Sequence, residues 1–432
     1  MRFFALLLSA GSLIFPAGAQ AAERTLGLDE ALAMARRNNH DLEGARARLV
    51  QAQAGVEQAW AALLPQLAGQ GKYTHNYKEV ALTLPPEFSS GGPIIIQKGE
   101  QLDAAATLTM PIIAPAAYPS LTSARRTADS ARANFDLSET TVLYQTAQTF
   151  FAAAGADELI AARQHAIEVA QKTLSDAKAR LEAGTVNRVE VTRAEAALIR
   201  AQQSAVEAEA VRDQTYRSLR TLTGAKEPVH VVPPELPQAA PAASVPDALR
   251  LRPEIIAADE QIAAADAAAH AAGWRWAPTL SGFGNLRGFN YAGFSGDEYS
   301  WAVGLQLDWL LYDGGARDAQ RHQAVAQKQE AEARRDLLRD TVGDEVANAE
   351  QQLVTRRLAL EAAQRQAELS RETLELVRVQ HQAGTATQLD LLAAQDALVV
   401  AEVGLAQARF DLQLGDLSLA RAAGTFPQRS TR

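Results

Sequence analysis

The stretch LEAGTVNRVEV, residues 181–191, is written again with the same punctuation as HQAGTATQLDL, residues 381–391. In both, an Ala-Gly-Thr turn interrupts a long helical pattern. A capping spacing follows each turn, Asn187 to Glu190 and Thr387 to Asp390. Glycine at 184 and 384 fits the position just past a helix end, where the backbone turns left-handed. Two such helix-turn-helix units, two hundred positions apart, imply an internally duplicated chain of long helical hairpins.

Outward from the turns the two copies stay aligned without a gap. Shifted by 200 positions, Thr141-Val142 meets Thr341-Val342, Thr173-Leu174 meets Thr373-Leu374, and Gly224 meets Gly424. The near arms, residues 120–182 and 315–382, predict helices on the order of 100 Å long. The far arms, 188–222 and 389–422, are shorter, and the alanine-rich segments 28–64 and 253–276 supply the missing length if they stack end to end with them. Helices of this length must lie side by side, as staves of a coiled coil or barrel.

Pro65 and Pro278 end the alanine-rich segments, and after each the period of the pattern drops to two. Leu67, Gly69, Gly71 and Tyr73 alternate with Gln70, Lys72 and Thr74; Leu102 to Met110 alternates likewise. Trp301, Val303, Leu305, Leu307, Trp309 and Leu311 alternate with Gly304, Gln306 and Asp308. These patterns predict two β-hairpins, residues 66–113 and 279–312, the first with a Pro, Ser and Gly-rich loop at 84–93. Residues 225–247, rich in proline, read as a crossover between the halves. The expected division is therefore a first repeat at 23–224 with its tip near 184, the crossover at 225–247, a second repeat at 248–424 with its tip near 384, and a tail at 425–432.

Residues 1–22 carry a basic start, an apolar run and a small-residue end, the pattern of a secretory signal peptide cleaved near residues 21–22. The chain has no cysteine, which excludes disulfides, thiolate metal sites and a lipid-bearing cysteine. Beyond the signal no apolar run is long enough for a membrane helix, so membrane contact falls to the strands. A net charge of -9 gives no basic face for nucleic acid. The seven histidines are scattered, and Gly282, Gly284 and Gly288 miss the dinucleotide spacing. No enzyme, metal or cofactor is expected.

Four strands with one apolar side are too few to close a barrel, and an open edge in lipid leaves backbone groups unpaired. Three copies would supply twelve, an even number in the range of outer-membrane barrels. Tyr73, Tyr291, Tyr299, Trp301, Trp309 and Tyr312, at the strand ends and loops, fit aromatic girdles at the two membrane surfaces.

The segments LDEALAMARRNNHDLEGARARLVQAQAGVEQAWAALLPQL (28–67), VGLQLDWLLYDGGARDAQ (303–320) and AGTATQLDLLAAQDAL (383–398) resemble the TolC outer-membrane efflux protein family. The resemblance covers almost all of the chain beyond the signal. It implies a mainly α fold of duplicated coiled-coil hairpins with four β-strands per chain. Its homotrimer would form a 12-stranded outer-membrane β-barrel continuous with a 12-helix periplasmic α-barrel. It implies a passive exit duct in the outer membrane of a Gram-negative cell, in contact with outer-membrane lipid. The partners would be a periplasmic adaptor and an inner-membrane pump of RND or ABC type. Gly184, Thr185, Gly384 and Thr385 would then be adaptor-docking tips, and Asp390, Glu190 and His381 the candidates for a pore gate. Some relatives carry an aromatic and a basic residue where His381 and Ala386 stand, so a closing clamp of that kind is not expected here. An alternative is the same duct serving a type I protein secretion system instead of small-molecule efflux. From another class, a periplasmic coiled-coil scaffold or adaptor shares the long helices but has no use for the strand at 301–311. A bulky charge at Gly384 is expected to disturb export more than one at Gly224.

Overall fold

Pro65 and Pro278 stand where helix gives way to strand. The computed structural model describes residues 24–82, 94–232, 244–291 and 297–427. The predicted signal peptide, the loop at 84–93, the middle of the crossover and the end of the tail lie outside the described residues. In chain order the elements are β1 (Arg24–Leu26), α1 (Leu28–Asn38), α2 (His40–Ala61), β2 (Gln66–His75), β3 (Val80–Leu82), β4 (Ile94–Gln97), β5 (Glu100–Ile113), α3 (Ala117–Glu182) and α4 (Arg188–Thr223). There follow β6 (Val229–Val231), α5 (Val245–Leu251), α6 (Pro253–Trp274), β7 (Thr279–Phe289), β8 (Tyr299–Asp308), α7 (Ala316–Gln382) and α8 (Gln388–Ala422). Contacts divide the chain into two units, residues 1–39, 142–240 and 352–418, and residues 40–141, 241–351 and 419–432.

In the second unit β2, β5, β7 and β8 form one antiparallel sheet in that order. Residues directly opposite one another share a face. The register therefore puts Leu67 and Tyr73 with Leu102 and Leu108, then Gly284 and Leu286, then Trp301, Val303 and Leu305, all on one side. That side is apolar and its large side chains are exposed. The other side carries Gln70, Lys72, Asp103, Thr107, Asn285 and Arg287, with Arg287 paired to Asp103 at 2.6 Å. Phe283 also lies there, over Gly304, where a Cβ would come within 2.9 Å of its ring. A second, short ladder joins β3 to β4 within the first hairpin.

Helices in this unit repeat the order of the strands. Arg46 on α2 lies over the Phe135 ring of α3 at 5.8 Å. Ser123 and Ser130 of α3 donate to the Ala264 and Ala257 carbonyls of α6 at 2.8 and 3.0 Å. Lys328 of α7 pairs with Asp266 of α6 at 2.7 Å. Serine and alanine at these seams let the helix backbones approach closely enough for hydroxyl-to-carbonyl bonds.

The first unit packs α4 against α3, α3 against α8 and α8 against α7. Leu174 and Ala177 meet Ala194; Gln395 donates to Thr173 at 2.9 Å; Arg371 pairs with Glu402 at 3.0 Å. Leu26, Leu143, Phe150, Leu219 and Val231 are buried here, under a parallel pairing of β1 with β6.

Two expectations are corrected. The alanine-rich segment 28–64 is two helices, because Asn39 is extended (φ -74°, ψ 128°) and spends its side chain on the Leu222 carbonyl at 3.1 Å, closing the end of α4. The same break recurs before α6, where Arg252 is extended and Pro253 follows. β8 ends at Asp308, so Trp309 and Leu311 are outside it. Asp308 faces Thr279, and the next position that could bond toward β8 is Ala277, whose N–H is given to the Trp274 carbonyl at 3.0 Å.

Candidate functional site

Each long helix pair closes on a turn with the same bonds. Gly184 and Gly384 take φ values of 71° and 79°. Thr185 donates both its N–H and its hydroxyl to the Arg180 carbonyl, at 2.9 and 3.0 Å. Thr385 does the same to Gln380, at 2.9 and 3.0 Å. The threonine hydroxyls thus spend their protons on sealing the helix ends, and the surface of both turns is exposed.

The caps that follow differ. Asp390 accepts from the Thr387 N–H at 2.9 Å and from its hydroxyl at 2.7 Å, and returns its own N–H to that hydroxyl at 3.2 Å. This is a reciprocal capping box. The hydrogen bonds from Thr387 hold the Asp390 carboxyl below its ordinary range, so it is ionised, and it is exposed. Glu190 contributes only its N–H to the cap, donating to Asn187 Oδ1 at 3.3 Å.

Glu190 belongs instead to a cluster between the two turns. His381 Nε2 accepts from Arg180 Nη1 at 3.2 Å, which joins the end of α7 to the end of α3. Burial and the Arg180 charge hold the His381 pKa below its usual value, against the opposing pull of Glu190 and a hydrogen bond to Gln388. The imidazole is therefore neutral, with Nε2 as acceptor. Gln388 is 5% exposed and its Nε2 has no hydrogen-bond partner among the described residues. Sequence reasoning named His381 and Glu190 but missed Arg180 and Gln388. The available signal was a basic residue four positions before Gly184, in the last turn of α3.

The aromatic residues fall at both ends of the sheet. Tyr73, Tyr291, Tyr299 and Trp301 lie at the end where β2 leads toward β5 and β7 toward β8. The Tyr73 hydroxyl donates to Glu100, which also meets His75 Nδ1 at 2.6 Å. At the other end Trp309 and Tyr312 stand beyond β8, exposed, with Trp309 Nε1 donating to the Trp276 carbonyl at 3.2 Å. Arg317 stacks on the Trp276 ring at 4.0 Å and pairs with Asp313 at 2.8 Å, fixing the path from β8 into α7.

Gly224 is no neutral reference for Gly384. Its φ is 66°, and a Cβ there would come within 2.6 Å of Asn38 Cβ, while one at Gly384 meets nothing within 4 Å. A side chain at Gly224 disrupts the helix joint, so Gly404, in the open middle of α8, is the better contrast.

A sheet with one exposed apolar face, set among helical hairpins of this length, defines a class: outer-membrane channel subunits with helical extensions. More narrowly, the chain belongs to the Outer membrane efflux protein family, whose profile matches residues 31–225 and 245–425. Outer membrane efflux protein BepC of Brucella suis biovar 1 (strain 1330) is 26% identical over 412 residues, covering 92% of this chain and 85% of that protein. Among solved structures, a membrane protein from Pseudomonas aeruginosa superposes with a TM-score of 0.80 at 20% identity, over 92% of this chain and 93% of that one. The CmeC outer membrane channel of Campylobacter jejuni gives 0.78 at 19% identity, over 92% and 85%. The fold is that of these channels. The family is one of outer-membrane efflux channels and is not enzymatic.

Proposed function

We propose that this protein is the outer-membrane exit duct of a tripartite efflux system, conducting substrates passively from a pump and adaptor to the outside. The observation that carries the reading is the sheet: its apolar face is exposed, and its edge strands β2 and β8 have no further partner among the described residues. Pairing β8 of one copy with β2 of the next removes both edges, and three copies close a twelve-stranded barrel. The helices follow the strand order, so the same closure sets twelve staves around a periplasmic tunnel. Matching turns at 184 and 384 and matching breaks at Asn39 and Arg252 support an internal duplication.

In this reading residues 1–22 export the chain and are cleaved near 21–22, and the strands, not a lipid, anchor it. The tips around Gly184, Thr185, Gly384 and Thr385 receive the adaptor, and an RND or ABC pump in the inner membrane supplies the energy. Exposed Asp390, ionised, presents three carboxylates at the tunnel mouth and favours cations. His381, bonded to Arg180 and under the charge of Glu190, holds the two hairpins of each chain together at that mouth.

Capture in living cells tests the duct. Ala383 is exposed, so an A383C variant, the only cysteine in the chain, carries a short photocrosslinker without unsealing the turn. Covalent capture of an adaptor hairpin is expected. Recovery of self-crosslinks alone, from a soluble periplasmic fraction, overturns the duct in favour of a scaffold.

A further inference from the structure

Where β6 passes α4, the first unit has an open polar pocket of about 280 Å³. Arg212, Tyr216 and Arg220 follow one another at every fourth position of α4, on one stripe, and Arg217 flanks them. His230 of β6 and Asp157 of α3 complete the lining.

The acidic groups at this cavity are already engaged. Tyr216 donates its hydroxyl to Asp157 Oδ2 at 2.5 Å and accepts the Val231 N–H at 3.3 Å, which fixes β6 over α4. Burial, helped by the Asp157 carboxylate, keeps that phenol protonated. Asp213 is taken by Arg212 at 3.2 Å. Arg217 and Arg220 are in no ion pair among the described residues. The lining thus carries three guanidiniums against two carboxylates, an excess of one positive charge, with His230 Nδ1 3.9 Å from Asp157 Oδ2. A guanidinium stays charged at any physiological pH, and its planar fork matches the two oxygens of a carboxylate or phosphate.

We propose that this cavity is a binding site for an oxyanion, phosphate or carboxylate, held by Arg217 and Arg220 with Arg212 and His230 at its rim. It takes a small ligand from the solvent around the protein.

Isothermal titration of the purified full chain in detergent, with chloride holding the ionic strength constant, tests the site. The probes are inorganic phosphate and succinate. One site per chain for either probe is expected: phosphate alone identifies a phosphorylated ligand, succinate alone a carboxylated one. Each of Arg217→Gln and Arg220→Gln weakens it about tenfold, the scale of one charge-assisted hydrogen bond, and Arg200→Gln, on the same helix away from the cavity, leaves it unchanged. No heat beyond that of chloride, or equal binding by the doubly substituted chain, overturns the proposal. If the double variant misassembles on an unheated gel, exposed Arg217→Gln alone decides the outcome.

Discussion

His381 is held between opposing charges, and its protonation is coupled to the join between the two hairpins. Its folded pKa lies below the ordinary value, about 6.5 in an unfolded chain. Between those two values the unfolded chain binds the extra proton, so the tip is fully stable above about pH 6.5 and loses stability as the pH falls toward the folded value. Divided by the intrinsic rate at each pH, hydrogen exchange at Gly384 and Thr385 is expected to quicken on acidification, and less so in Arg180→Gln, where half of the contact is gone. A protection factor unchanged between pH 7 and 5 would show that the histidine does not hold the tip. Asp390→Asn is expected to shift the reversal potential of the pore away from cations while trimers persist on unheated gels; an unchanged potential in a planar bilayer removes Asp390 from the gate. Gly184, Gly384 and Asp390 were legible in the sequence because a left-handed turn and a capping box are local devices. Arg180 was not, since its partner is two hundred positions away and no spacing rule reaches that far.

Among elements the sheet was the most legible, because a face exposed to one solvent and a face exposed to another enforce strict alternation. Where the reading overran, a backbone group was the cause: β8 stops at Asp308 because the Ala277 N–H is turned to the Trp274 carbonyl, although the alternation of side chains continues to Leu311. The break at Asn39 escaped notice because asparagine is tolerated in helices, and its capping target lies on another element. If the apolar face meets lipid, a charge there is costly. Val303→Lys is expected to cost about 2–4 kcal/mol near the bilayer midplane, whereas Ala302→Lys, on the opposite face, is tolerated. Heat-modifiable protein recovered from outer membranes checks both. Equal recovery of the two variants would place neither face in lipid.

For the whole molecule the decisive property is that its sheet is unfinished. Lys72 on β2, scanned as a cysteine against Ser300, Ala302 and Gly304 on β8, is expected to crosslink between chains into a ladder that ends at three. A ladder ending at two, or one without an end, contradicts the closed trimer. Closure by further copies is read only as an argument from missing partners, since nothing in one chain records its neighbour. The pairing of β5 with β7 carries a further consequence, for biogenesis. Asp103 is set beside Phe289, 289 - 103 = 186 residues later in the chain. During secretion the first hairpin therefore emerges with β5 lacking its second neighbour, and it must wait for most of the following helices before β7 arrives. Such a delayed, long-range pairing is slow and leaves an adhesive edge exposed meanwhile. For a chain made from its N-terminus, the hazard of mispairing is therefore greatest just before the second hairpin appears.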